Sequence, residues 1–346
     1  MGVNASSNRK IFSSKMILIL NNKLQHHHVK IEQKTRNAFI YCILVLISFS
    51  CFKERRSDKA GEKMQDFVIS ISDYARGIDN DFIVIPQNGI ELAYNYLDPN
   101  DGINSSYLSA VDGFGIEELF YNGTGLAPDE RLPMLQELKG SKTIMVAEYV
   151  AQDANISDAI SQNSNEGFLC FARANANYDY QEIPEVISNE NSNDIKTLTD
   201  AQNYLYLIST DNYASKSELI NAISASNYDL VLIDLFFDQE ALSFEEIKQL
   251  KTKQNGAQRL VIAYMNIGSA ENYRYYWKDK WKLRRPNWLK KPYEGYENEI
   301  WVKFWKEEWE EIIYGNDNSY TKKIINSGFD GVYLDNVEAY YFLYFD

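Results

Sequence analysis

Eight short apolar runs alternate with segments of helical pattern, and this alternation restricts the fold of the chain more than any other feature. The runs are Phe82–Pro86, Ala110–Phe114, Thr143–Val150, Gly167–Arg173, Tyr204–Thr210, Leu230–Phe236, Leu260–Ile267 and Gly331–Val337. Many are apolar nearly throughout, as parallel strands covered on both faces are. Helices are expected between several of them, over 129–139, 215–225, 243–253 and 318–327. Ahead of the first run, Met64, Phe67, Val68, Ile71, Tyr74 and Ala75 recur at helical spacing and predict an amphipathic helix over 62–78. Eight strands alternating with helices predict an α/β fold closed as a (β/α)8 TIM barrel. A doubly wound open sheet is the alternative, but no Gly-rich phosphate loop follows the first run. The chain ends just after its eighth run, so the helix at 62–78 would cover the seam between strands eight and one.

Composition narrows the chemistry. The three histidines are His26, His27 and His28, and beyond Cys42 and Cys51 the sole cysteine is Cys170. A Ser-His-Asp or Cys-His site, a His- or Cys-rich zinc site and an internal disulfide are therefore excluded from the body of the chain. Cys170 lies in the apolar run Phe168 to Ala172 and reads as a packing residue. Chemistry falls to Asp, Glu, Tyr, Lys, Arg or a hard metal ion, and neither a cofactor nor a metal is expected. Residues 1–50 carry seven Lys/Arg and one Glu, so the remainder of this −14 chain is more acidic than the whole. Such a surface repels nucleic acid and anionic membrane and attracts cationic polymers.

The basic start has its own reading. Lys30, Lys34 and Arg36 precede the uncharged apolar stretch Ala38 to Phe49, which ends at Ser50-Cys51. Basic flank, short apolar core and a small residue before cysteine form an export signal. Ser48-Phe49-Ser50-Cys51 resembles a lipoprotein cleavage box, which makes Cys51 the acylated residue and simple secretion the alternative. The expected organisation is a leader over 1–50, a polar tether over 51–62 and a catalytic domain over 63–346. The membrane would be met through the lipid anchor alone, at the cell surface or in the periplasm.

Several runs break from apolar to acidic or amide at their C-terminal ends, where barrels carry their reactive groups. The eighth gives Asp335, Asn336 and Glu338, the sixth Asp234 and Asp238, and the second Asp112, Glu117 and Glu118. The first ends in Gln87-Asn88-Gly89, the third includes Glu148, and the seventh continues through Asn266 to Glu271. Any single one reads as a solvated charge or a helix cap. Repetition is harder to dismiss, because burying a carboxylate costs several kcal/mol unless it is paired or used. Glycoside hydrolysis needs two: an acid to protonate the leaving oxygen and a carboxylate to attack or to activate water. In a closed ring, one strand separates Asp335 from Glu117. With strands about 4.8 Å apart, inward-leaning side chains permit the roughly 5–5.5 Å spacing of a retaining pair without selecting it. Rings crowd 264–309, and the loop 284–299, with Trp288, Tyr293 and Tyr296, is the expected sugar-stacking platform.

Two long blocks carry a resemblance: Leu260-Val261-Ile262-Ala263-Tyr264-Met265-Asn266-Ile267-Gly268-Ser269-Ala270-Glu271-Asn272-Tyr273-Arg274 and Gly328-Phe329-Asp330-Gly331-Val332-Tyr333-Leu334-Asp335. Shorter ones are Ile83-Val84-Ile85-Pro86-Gln87-Asn88-Gly89 and Ile116-Glu117-Glu118-Leu119-Phe120-Tyr121. Together they resemble the polygalactosaminidase-like glycoside hydrolases, that is, glycoside hydrolase family 114 and the related hydrolase domain of the Pel exopolysaccharide protein. The resemblance implies a (β/α)8 barrel cleaving α-1,4-linked galactosamine polymers with an Asp and a Glu. By motif match the nucleophile is Asp335 and the acid/base Glu117. Asp234, Asn88, Tyr264, Glu271 and Arg274 match cleft positions, and Glu148, Tyr333 and Arg173 complete the candidate substrate-binding set. The order of blocks is reversed relative to better-studied relatives, like a circular permutation. The implied partner is a polysaccharide, and the acidic body suits a cationic, partly deacetylated one. The rival readings are a non-catalytic glycan-binding surface lipoprotein on the same barrel, a metal-dependent deacetylase, which would want His ligands, and a purely structural surface protein.

Overall fold

A computed structural model describes residues 53–127, 129–174 and 180–345. The leader and Cys51 lie outside the described residues. The body is the compact unit Ser57–Asp346. It begins inside the stretch expected to be a loose tether: helix α1 runs through 57–76 and already buries Ala60. Met64, Phe67, Val68, Ile71 and Ala75 follow on the same inward face, so the helical spacing read from the sequence is the packing stripe.

The elements then alternate: β1 (Ile83–Pro86), α2 (Ser105–Ala110), β2 (Gly113–Gly125), α3 (Arg131–Leu138), β3 (Thr143–Val150), α4 (Ile156–Glu166), β4 (Leu169–Arg173), β5 (Tyr204–Leu207), α5 (Lys216–Ser224) and β6 (Leu230–Asp234). A small hairpin, β7 (Phe236–Phe237) with β8 (Glu240–Ala241), leads to α6 (Phe244–Leu250) and β9 (Leu260–Asn266). Next come β10 (Ser269–Glu271), β11 (Leu289–Pro292), β12 (Glu299–Val302), α7 (Glu307–Ile313), α8 (Tyr320–Ser327), β13 (Gly331–Asp335) and α9 (Ala339–Phe342).

Each of the eight apolar runs contains a strand, and every pairing among these strands is parallel. Five form one sheet in the order β1-β13-β9-β6-β5, and three form a second, β2-β3-β4. The first and last of these strands pair with each other, Ile83 opposite Gly331. Between the sheets, β1 meets β2 through the bridge Gln87↔Gly115, and the Asn88 N–H donates to the Gly115 carbonyl at 2.7 Å. At the other junction no ladder joins β4 to β5 among the described residues. Aromatic packing holds that seam, with Phe171 5.9 Å from Tyr204 and 6.3 Å from Tyr180, ring to ring. The expected closed barrel is therefore met in strand order and direction, while its hydrogen bonding forms two parallel sheets.

The residues between the sheets interlock. Tyr206 of β5 lies stacked on Tyr180, 3.7 Å between centroids, and edge-on to Tyr333 of β13 at 5.6 Å. Across from them, a Cβ at Gly115 of β2 would fall 1.9 Å from the Tyr333 hydroxyl. Gly115→Ala is accordingly expected to destabilise the fold by about 1–3 kcal/mol, because the fully buried phenol has no space into which to retreat. Urea unfolding checks this. A Gly115→Ala/Tyr333→Leu double variant should recover part of the loss, since leucine lacks the clashing hydroxyl.

Carboxylates at the N-terminal ends of the strands are structural ties. Asp112 accepts from the Val84 N–H and pairs with Arg76, both at 2.7 Å. Asp330 accepts from the Val261 N–H and pairs with Lys251. Asp229 lies before β6 in a fully buried pair with Lys253 at 2.5 Å.

Three features depart from the sequence-based expectations. Helix α4, which follows β3, is not among the helices that the sequence pattern marks. The second strand lies later than its apolar run, because Ala110 ends α2 and the strand extends from Gly113 to Gly125. The region 284–299, expected as a loop, is one for most of its length, but it also carries β11 and the start of β12, part of an antiparallel sheet β10-β12-β11 inserted after β9. Among the described residues no helix is long and apolar enough to cross a membrane.

Candidate active site

The strands deliver their terminal side chains to one cleft of about 750 Å³. Asp335 ends β13 and lines this cleft. Its Oδ2 accepts a short 2.5 Å hydrogen bond from the Tyr264 hydroxyl of β9, directly alongside. Its Oδ1 accepts from the Asn336 N–H at 2.7 Å. Burial and the nearby charge of Glu117 push the Asp335 carboxyl up to about 7, against the pull of these two donors. Burial and the Asp335 charge hold the Tyr264 phenol far above its ordinary range, so it stays a donor.

Glu117 comes from β2 and is clamped by its neighbours. Its Oε1 accepts from the Tyr180 hydroxyl at 2.7 Å, its Oε2 from Asn88 Nδ2 at 3.3 Å, and its own N–H donates to Asn88 Oδ1 at 3.1 Å. The backbone turns sharply just past β1 and β13 and at the irregularity within β2, with φ of 60° at Asn88, 62° at Asn336 and 54° at Glu118. Asparagine adopts this left-handed conformation more easily than most residues, whereas a glutamate there stores strain of the order of 1–3 kcal/mol. Arg131 braces the Glu118 turn, donating to the carbonyls of Glu117 and Glu118 at 2.8 and 2.9 Å.

A second group lies across the cleft. Arg274 reaches Glu271 at 2.8 Å and Asp234 at 2.7 Å, so one guanidinium is shared between two carboxylates. These carboxylates hold the guanidinium protonated against the opposing effect of burial. Tyr273 adds a 2.6 Å hydrogen bond to Glu271.

The structure thus brings Asp335, Glu117, Asn88, Tyr264, Asp234, Glu271 and Arg274 to one cavity. The other three candidates stand elsewhere. Glu148 is fully buried and accepts from the Phe120 and Tyr121 N–H groups, each at 3.0 Å, and from Asn163, which ties β3 to β2 and α4. Arg173 pairs with Glu118 at 3.2 Å and lies over the Tyr180 ring, behind the cleft wall. Tyr333 is fully buried beneath the cleft floor. In the expected platform, Tyr293 and Tyr296 line the cleft, whereas Trp288 is buried against Trp281 and Trp309.

Two carboxyls of the cleft were missed as site residues. Glu299 opens β12, and burial and the Glu271 charge raise it to about 8. Glu338 follows β13, and burial with the charges of Glu91, Glu117 and Asp335 raises it to about 8 as well. Glu338 was legible as an acid three residues after Asp335, but Glu299 sits on an insert that the eight-run pattern does not contain. A raised carboxyl keeps in the folded state a proton that the unfolded chain gives up. Stability therefore falls as pH rises from the ordinary glutamate range to about 8. Glu338→Gln is expected to leave Tm nearly unchanged at pH 5 and to raise it by about 2–4 °C at pH 9. Scanning calorimetry of both proteins across that range checks the sign.

Among the described residues no three His, Cys, Asp or Glu side chains are grouped to hold a metal ion. Two carboxyls of different surroundings, one at the end of β13 and one within β2, beside an arginine-bridged carboxylate pair, are what acid–base chemistry at an acetal requires.

Residues 185–343 match the model of glycoside-hydrolase family GH114. The GH114 match takes in Asp234, Tyr264, Glu271, Arg274, Glu299 and Asp335, while Glu117 and Asn88 reach the same cleft from outside it. The chain is also similar to three proteins each described as uncharacterized. One, from Methanocaldococcus jannaschii, is 40% identical over 136 residues, 37% of this chain and 36% of the relative. A second, from Thermotoga maritima, is 34% identical over 118 residues, 34% of this chain and 35% of the relative. The third, from Deinococcus radiodurans, is 32% identical over 121 residues, 35% and 37% of the two chains. The matches thus span little more than a third of each of these relatives.

Proposed function

We propose that this chain is a glycoside hydrolase that cleaves an α-1,4-linked galactosamine-containing exopolysaccharide by a retaining mechanism. Asp335 is the nucleophile and Glu117 the acid/base. The observation that carries this reading is the convergence of Asp335 and Glu117 on one cleft from strands separated by β1, close enough for the charge of one to raise the other. The GH114 match supports the same class of reaction.

In the first step Glu117 gives its proton to the glycosidic oxygen as Asp335 attacks the anomeric carbon. The bond to the leaving sugar breaks and a covalent glycosyl ester forms. In the second, Glu117 takes a proton from water, which displaces Asp335 and releases the sugar. Tyr264 and the Asn336 N–H hold the Asp335 oxygens in place and stabilise the charge that returns to them. The Asn88 and Tyr180 contacts fix the reach of Glu117.

The cleft is lined by eight carboxylic residues, Glu117, Asp211, Asp234, Asp238, Glu271, Glu299, Asp335 and Glu338, and Arg274 is the one base among its described lining residues. That balance favours a cationic, deacetylated polymer. The strand order, with first and last strands paired, suits a (β/α)8 ring in which the halves are permuted relative to better-studied relatives. Export, with lipidation at Cys51, completes the proposal and would place the enzyme where an exopolysaccharide is met.

Proton NMR of the first products tests the reaction. Anomeric signals of α configuration appearing ahead of β are expected. First-formed β ends would contradict retention. If no new ends appear while the polymer still binds, the chain is the glycan-binding protein of the rival reading.

A further inference from the structure

We infer that Glu299 is the residue that recognises the ammonium group of a deacetylated amino sugar in the cleft. The inference rests on the hydrolase reading above and adds the determinant of acetylation state. Four of the eight carboxylic residues lining the cleft already have partners of their own. Asp234 and Glu271 are both engaged by Arg274. Asp335 is bound to Tyr264 and Asn336, and each Glu117 oxygen has its own donor.

Glu299 is arranged differently. Ser269 Oγ and Asn266 Nδ2 both donate to Oε2, at 2.5 and 3.1 Å, which fixes the carboxyl on the cleft wall. No hydrogen bond or ion pair among the described residues engages Oε1, and the residue lines the cavity. An uncharged anchor on one oxygen and an open second oxygen form a receptor for a cation that arrives with the ligand. The same insert supplies the apolar partner. Tyr296, 40% exposed, lines the cleft next to Tyr293, whose ring is stacked on Trp301 at 4.0 Å. A ring with one apolar face and one ammonium fits this pair of surfaces, whereas an N-acetyl group brings no charge to Glu299.

Charge balance gives the inference a signature. Unliganded, Glu299 is raised to about 8 by burial and by the Glu271 charge, so it carries a proton at pH 7. An ammonium docked on Oε1 favours the ionised form, and that proton passes to the buffer.

The test is calorimetric titration of the full chain and of Glu299→Gln with deacetylated and N-acetylated galactosamine oligosaccharides at pH 7, in two buffers of different ionisation heat. Glutamine keeps the acceptor for Ser269 and Asn266, and matching Tm values at pH 5 establish that the variant is folded. At least a tenfold loss of affinity for the deacetylated ligand is expected, with the acetylated ligand within twofold. The proton release seen with wild type should be smaller in the variant, by the share that Glu299 supplies. Equal losses on both ligands, unchanged affinity, or proton release undiminished in the variant would each overturn the role of Glu299. Selective binding by a wild type that cleaves nothing would contradict the hydrolase reading and leave this one standing. Absence of binding to either ligand would overturn both.

Discussion

Lys253→Met should lower the stability of the folded body by about 3–5 kcal/mol, the largest loss expected from any single substitution away from the cleft. Both side chains of the Lys253–Asp229 pair are completely shielded from solvent. Asp229 also accepts two hydrogen bonds from Asn191 Nδ2, at 3.1 and 2.9 Å, and one from the Gln202 N–H at 2.8 Å. Lys253 donates to the Asn193 carbonyl at 2.9 Å. The pair thus fastens the stretch before β5 to the starts of β5 and β6. Removing the lysine leaves a buried carboxylate without its counter-charge, and desolvation then dominates the loss. Adding Asp229→Asn should return part of the stability, because the orphaned charge disappears. Guanidinium unfolding followed by tryptophan fluorescence measures both. A double variant that loses the full sum of the two single losses would show that packing, rather than charge, is what the pair supplies.

Asp335→Asn is expected to reduce kcat/KM by at least about 10³-fold while leaving the fold intact. The amide oxygen can still accept from Tyr264, the bond from the Asn336 N–H is given up, and the nucleophile is lost. Stability should rise slightly above pH 7. The wild-type carboxyl is raised to about 7, and ionising it inside the cleft costs the folded state what the asparagine does not. The same shift gives the wild type an acid limb. As pH falls through about 7 Asp335 takes up a proton and attack stops, so kcat/KM of the free enzyme should decline on that side. A docked ammonium would lower the limb in kcat. A limb near the ordinary aspartate range in both parameters would argue against Asp335 as the attacking group.

Much of this architecture could be read from residues. The runs 143–150 and 260–267 are apolar on both faces, which leaves parallel pairing as the economical arrangement, and both form strands of nearly those bounds. Acids at strand ends were equally legible, and Asp335, Asp234 and Glu117 do meet. What the pattern does not encode is which end of a strand an acid serves. Asp112 and Asp335 each flank an apolar run, yet Asp112 ties backbone at the opposite end of the strands. Glu148 shows the same ambiguity within a strand: one step in register moves a side chain between the cleft and the helix layer. Glu299 escaped because its position depends on the β10-β12-β11 insert, where short polar strands carry little periodic signal. The β4–β5 seam escaped because aromatic packing, rather than a backbone ladder, holds it.

Release of reducing ends from deacetylated galactosamine polymer, by wild type and by Asp335→Asn side by side, tests the central claim most directly. Steady release by the wild type and none above background by the variant is the expected result. Equal release by both proteins, or none by either, would contradict the assignment of Asp335 as the nucleophile of a glycoside hydrolase.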